Sequence, residues 1–146
     1  MANQLFYEDV DTGCEIPRLV KTPTTTQQVM YLSCLWMWHK IHYDKDYALS
    51  VGYPDVVVLG RMEGCFLAQM LTDWLGEQGI IRKIAYRAVQ VCTVKDTLTC
   101  GGKVVRKYAQ NGENRIDCEL WIKNQVGDNT MTGNATLILP SKPQNN

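Results

Sequence analysis

The polar and apolar positions divide the chain into a helical half and a strand half. Over Arg61–Leu75, Met62, Cys65, Phe66, Met70 and Trp74 recur at helical spacing. Leu67, Ala68, Leu71 and Leu75 widen that apolar face until it nearly closes on itself. Such a helix belongs in the middle of a fold, wrapped by something else. Gly76 is placed to end it. Beyond it the period drops to two. Ile116, Cys118, Leu120 and Ile122 alternate with Arg115, Asp117, Glu119, Trp121 and Lys123, and Met131, Gly133, Ala135, Leu137 and Leu139 repeat the pattern. Four strands are predicted, over Ile80–Val91, Thr97–Tyr108, Asn114–Lys123 and Thr130–Leu139. Their joins, Lys95-Asp96, Asn111-Gly112 and Gly127-Asp128-Asn129, are turn chemistry.

The earlier part of the chain is read in the same way. Residues 1–25 look irregular, with a turn at Asp11-Thr12-Gly13 and a short strand over Arg18–Thr22. One of Thr24, Thr25 and Thr26 caps a helix with Val29, Met30, Leu32 and Leu35 at its apolar positions. Asp44 is placed to cap a second, short helix over Lys45–Ser50, and Gly52-Tyr53-Pro54-Asp55 breaks it. The run Val56–Leu59 is β-branched, apolar and short, so burial is expected. A buried helix followed by an antiparallel meander is an α+β design. A sheet curled around a central helix is the hotdog architecture. One helix face and one sheet edge remain to be covered, which implies a dimer or a larger assembly.

Composition narrows the picture only a little. The chain has 146 residues, enough for one domain with a core, here residues 1–146 with an irregular segment over 1–15 and a loose tail over 140–146. Lys plus Arg balances Asp plus Glu at 15 each, so no nucleic-acid or membrane-surface partner is indicated. No apolar run spans a bilayer, and Met1-Ala2-Asn3-Gln4 lacks the basic and apolar regions of a signal peptide, which points to the cytoplasm. The six cysteines, at 14, 34, 65, 92, 100 and 118, form no C-x-x-C pair, and most fall inside apolar patterns. Buried reduced thiols are expected in place of zinc ligands or a disulfide frame.

The chemistry gathers in one stretch. Both histidines lie in Trp36-Met37-Trp38-His39-Lys40-Ile41-His42-Tyr43-Asp44, followed by Gly52-Tyr53-Pro54-Asp55, the Val56–Leu59 run and Gly60. Imidazoles and a carboxylate are thus delivered to a helix start, where backbone N–H groups can hold developing negative charge. His42-Tyr43-Asp44-Lys45-Asp46-Tyr47-Ala48, Gly52–Gly60, Leu71–Gly76, Asp96–Thr99 and Gly133–Thr136 together resemble the MaoC-like hydratase/dehydratase family, from about Phe6 to Leu139. Members are hotdog proteins that add water to, or remove it from, thioesters of coenzyme A or acyl carrier protein. His39–Asp44 is most similar to the branch acting on branched or dicarboxylic acyl-CoA.

The resemblance implies roles. His42 is the base, and the Gly60 N–H receives the thioester oxygen. Tyr53, Val58, Arg61, Trp36 and Trp38 fall at substrate-binding positions. No metal or redox cofactor is implied; the ligand is an acyl thioester. The chain also departs from the family's D-x-N-P-x-H pattern: Met37 replaces the Asp, and His39 and Lys40 replace Asn and Pro. Leu59 stands where His commonly precedes the glycine.

Each residue has a plainer reading beside the functional one. His42 is either the base or a packed, hydrogen-bonded core histidine. His39 is either a second proton-transfer group or a surface residue. Gly60 is either an open oxyanion site or a tight turn. Arg61 opposes the helix dipole and either holds a ligand anion or is solvated. Trp36 and Trp38 are pocket walls, core or dimer contacts. Asp44 and Asp46 read as caps, and Lys83, Arg87 and Lys103 as phosphate contacts or a solvated strand face. Three functions stay open: a hydratase, a degenerate subunit that completes a hetero-oligomer with an active partner, and a hotdog thioesterase using Glu63 or Asp73 on the central helix.

Overall fold

The computed structural model describes residues 4–143. Met1–Asn3, read above for a leader, and residues 144–146 of the expected tail lie outside the described residues. The elements in chain order are β1 (Glu15–Lys21), α1 (Thr25–Leu35), α2 (Lys45–Ser50), α3 (Gly60–Leu75), β2 (Ile80–Ala88), β3 (Leu98–Gln110), β4 (Glu113–Lys123) and β5 (Asn129–Ile138). Short 3-10 turns occur at Tyr7–Asp9 and Lys40–His42. The five strands form one antiparallel sheet in the order β1-β3-β4-β5-β2. This is the expected hotdog fold, α3 packing against β1, β2, β3 and β4.

The alternation read from the sequence is the register of the sheet. Ile116, Cys118, Leu120 and Ile122 of β4 pair with Leu137, Ala135, Gly133 and Met131 of β5. All of these but Gly133 are buried core residues. They face Leu67, Met70, Leu71 and Leu75 of α3 in one cluster. Gly133 has a positional reason: a Cβ there would stand 2.5 Å from the Ala85 carbonyl oxygen. Register shifts at Ile81/Lys83, Val104/Arg106 and Ile16/Leu19 bend the strands around the helix. Asn111 and Gly112, both at positive φ, close the two-residue β3–β4 hairpin.

The helices begin and end for local reasons. Thr24 caps α1 through a reciprocal pair with Gln27, at 3.2 and 3.1 Å. Trp36 ends it in the left-handed conformation (φ 53°), a position usually filled by glycine. Asp44 caps α2, its Oδ1 accepting from the Tyr47 amide at 3.0 Å, while Asp46 lies within the first turn. Four details differ from expectation. β2 stops at Ala88, because the Val89 and Gln90 amides both turn to the Thr130 carbonyl. Phe66 and Trp74 of α3 are only half-buried, covered on one side by the sheet. Three cysteines, 92, 100 and 118, are buried, but Cys34 and Cys65 are exposed. Of the tail, Pro140 and Lys142 make backbone bonds to Tyr7 and Glu8.

Leu71 is fully buried at the centre of this core. Leu71→Ala should destabilise the protein by about 2–5 kcal/mol, measured by denaturant unfolding. A loss under about 1 kcal/mol would mean that α3 is not the helix the sheet encloses.

Candidate active site

The Lys40–His42 turn and the Asp44 cap set His42 facing the Val56–Leu59 run. Val57 donates its N–H to the Ile41 carbonyl at 2.9 Å. Its own carbonyl lies 2.9 Å from His42 Nδ1. A carbonyl can only accept, so Nδ1 carries the proton and Nε2 keeps its lone pair. His42 is 8% exposed. Burial holds its pKa below the ordinary imidazole value; the Val57 bond opposes that, and nearby His39 adds to it. The ring is therefore a neutral base at physiological pH. His39 is exposed, its ring centroid 6.0 Å from that of His42. Met37 is half-buried against Leu32, Leu59 and Met62.

The same run leads into α3. Leu59 takes the cap position with no side chain able to accept a bond. Its carbonyl receives Met62 and Glu63 at 2.8 and 3.2 Å. Among the described residues the Gly60 and Arg61 amides donate to nothing, as the first amides of an uncapped helix must. A Cβ on Gly60 would meet Ala88 and Met131 at 3.8 and 3.9 Å, ordinary contacts. The fold itself thus tolerates a side chain where none is present. Arg61 is exposed and enters no ion pair among the described residues.

Gln28 ties these parts together and was not singled out from the sequence. It is fully buried. Its Nε2 donates to Val57 O at 2.5 Å and to His42 O at 3.3 Å, and its Oε1 accepts from the Leu59 amide at 3.0 Å. A signal was present: Gln28 stands four residues before Leu32 and seven before Leu35, a polar residue on the apolar stripe of α1.

Residues 15–94, more than half the chain, match the model of the hydroxyacyl-thioester dehydratase type 2 family. The chain belongs to that family. No match was found among curated protein sequences. Solved structures agree on the fold. The R-hydratase PhaJ1 of Pseudomonas aeruginosa superposes with a TM-score of 0.85 at 18% identity, covering 95% of this chain and 88% of that one. The (R)-hydratase of A. caviae, involved in PHA biosynthesis, gives 0.82 at 19%, covering 91% and 99%. A chain of the ChsH1-ChsH2 complex of Mycobacterium tuberculosis gives 0.76 at 23%, covering 88% and 98%.

The other expected residues of this dehydratase-family chain are placed unevenly. Trp36, Trp38 and Tyr43 stack edge to face at 6.4 and 6.2 Å. Trp36 is 83% exposed and Trp38 44%, so neither is core. Tyr53 is half-buried, its amide donating to Ala48 O of α2 at 3.0 Å. The Val58 side chain lies in the main core, and its amide donates to Cys92 O at 2.9 Å. Asp55 is buried and ionised. Its Oδ2 meets Lys95 at 2.9 Å and Lys45 at 3.5 Å, its Oδ1 takes the Val56 amide at 2.7 Å, and together they hold its pKa below the usual carboxylate range, Lys95 foremost. Among the described residues no cluster could hold a metal ion, and no helix is long and apolar enough to cross a membrane.

Neither helix carboxylate faces an open site. Asp73 is exposed, and Glu63 is 2% exposed with Thr130 Oγ1 3.0 Å from its Oε1. Thr130 Oγ1 also lies 3.4 Å from Ile122 O. One hydroxyl proton cannot serve both. A protonated Glu63 resolves this by donating to Thr130, which then donates to Ile122. Burial pushes the Glu63 pKa up, in the same direction. A carboxyl held neutral in the fold binds more protons than the unfolded chain above about pH 4.3, so its contribution falls as pH rises. Glu63→Gln should therefore stabilise the protein more at pH 8 than at pH 5, read as the Tm difference from wild type. An equal difference at both pH values would show that Glu63 is ionised throughout.

Proposed function

We propose that the chain hydrates 2-enoyl thioesters, or dehydrates 3-hydroxyacyl thioesters, with His42 as base and the Gly60 N–H receiving the thioester oxygen. The observation that carries this reading is the His42 ring: Nδ1–H on Val57 O and Nε2 without a partner among the described residues, with a helix-start amide, likewise unpaired among them, three residues in sequence from the carbonyl's owner. In the hydration direction Nε2 takes a proton from water as its oxygen bonds to Cβ. The π pair moves to the thioester oxygen, which the Gly60 N–H steadies. The imidazolium then returns the proton to Cα on the same face. No electrons are gained or lost overall, so the reaction asks for no redox cofactor, and proton transfer plus the N–H supplies the activation without a metal. Arg61, Tyr53, Trp36 and Trp38 line the approach in this reading, with coenzyme A or a carrier protein as the thioester's handle. His39, exposed beside His42, is a relay between the base and bulk water.

Assembly belongs to the same proposal. β1 and β2 each pair on one side only, and a second copy on such an edge completes the sheet. Met37 favours a second reading, a binding subunit completed by an active relative. A thioether packed against Leu32 and Met62 exchanges no protons. One structural neighbour is itself half of a two-protein complex.

Loss of the conjugated-enoyl absorbance tests the first reading. His42→Ala should lower the turnover number by ~10²–10⁴-fold. The acid limb of kcat/KM should fall below about pH 6.5, the ordinary imidazole value, because burial lowers the His42 pKa. Native activity that survives His42→Ala removes His42 from the mechanism. An inactive native chain that gains activity in Met37→Asp identifies the binding subunit.

A further inference from the structure

Every polar atom of the Gln28 side chain is spent on the two halves of the proposed site. Its N–H group reaches Val57 O, the same oxygen that accepts His42 Nδ1–H, and the His42 carbonyl. Its oxygen holds the Leu59 amide, the last before Gly60. These bonds cross from α1 to segments 14, 29 and 31 residues away, in full burial. The core alone does not call for such a residue. A leucine would complete the apolar stripe of α1 at less desolvation cost, but would leave Val57 O with one donor and the Leu59 amide with none.

We infer that Gln28 is a positioning residue for the hydration site, locking His42 in its Nδ1–H tautomer and fixing the start of α3 relative to it. The catalytic part of this inference rests on the hydratase reading; the tautomer part does not. The mechanism is local. With Gln28 in place, Val57 O points at Nδ1 and cannot swing away, so Nε2 alone is left as the lone-pair nitrogen. His39 is the titratable side chain that faces the ring, 6.0 Å between centroids. Asp55, neutralised by Lys95 and Lys45, sits on the adjoining segment. Neither is altered by a change at Gln28.

The test uses the full chain with ¹⁵N-labelled histidine, read by long-range imidazole NMR. Two variants separate the bonds. Gln28→Met removes all of them. Gln28→Glu keeps an acceptor for the Leu59 amide but, when ionised, offers no donor to Val57, which guards against a variant that fails to fold. Wild type should show one neutral tautomer at His42, protonated on Nδ1. Both variants should show a share of the Nε2–H form at His42. If the chain is a hydratase, kcat should fall about 10–100-fold with KM within about twofold. A folded variant in which His42 keeps the wild-type tautomer overturns the inference, whatever its rate. A wild-type chain without enoyl hydration defeats the hydratase reading alone, and the NMR result still decides the role of Gln28.

Discussion

An apolar helix must be surrounded, and its polar start must still meet something polar. α3 sets both conditions. The curled sheet buries Leu67, Met70, Leu71 and Leu75. No side chain caps the first turn. The segments that precede α3 in the chain, from α1 onward, meet at that uncapped start. The Val56–Leu59 run brings the chain up to it, bonded on one side to Ile41 and on the other to Cys92 and Val94. α1 lies against the run through Gln28, and the His42 turn is fixed to the same carbonyl. A Ser or Asp at position 59 would have accepted from the Arg61 or Met62 amide and left the Gly60 amide as it is.

The fold was largely legible because its signals are local and periodic. Alternation in β4 and β5, the nearly all-round apolar surface of α3, and the Asp44 cap each follow from residues a few positions apart. β2 was drawn too long, since Val89 and Val91 have strand composition but the backbone there turns to Thr130. The site was legible only in part. His42 and Gly60 could be named from the stretch they stand in, although the tautomer of His42 depends on Val57, fifteen residues away. Gln28 was missed, and the burial of Asp55 and Glu63 went unread, because a buried polar residue is justified only by partners, and theirs lie 31, 40 and 67 positions away at the farthest. Trp36 and Trp38 were ambiguous for the opposite reason. Aromatic composition suggests burial, but a left-handed backbone at Trp36 turns that ring outward.

Charge in this molecule is used sparingly and close to the site. The buried Asp55 carboxylate gathers Lys95 from the β2–β3 connection and Lys45 from α2. Both lysine ends are more than half exposed, so salt screens the pairs from one side only. On α3, burial instead raises the Glu63 pKa, and burial lowers that of His42.

The order of the strands has a consequence for how the molecule is built in time. β3, β4 and β5 are joined by turns of a few residues, whereas β1 reaches β3 only after some eighty residues of intervening chain. Closing a short loop costs less entropy than closing a long one. The meander is thus the part that can form first. β1 and the segments holding Gln28, His42 and Val57 join it only when the longest loop of the sheet closes.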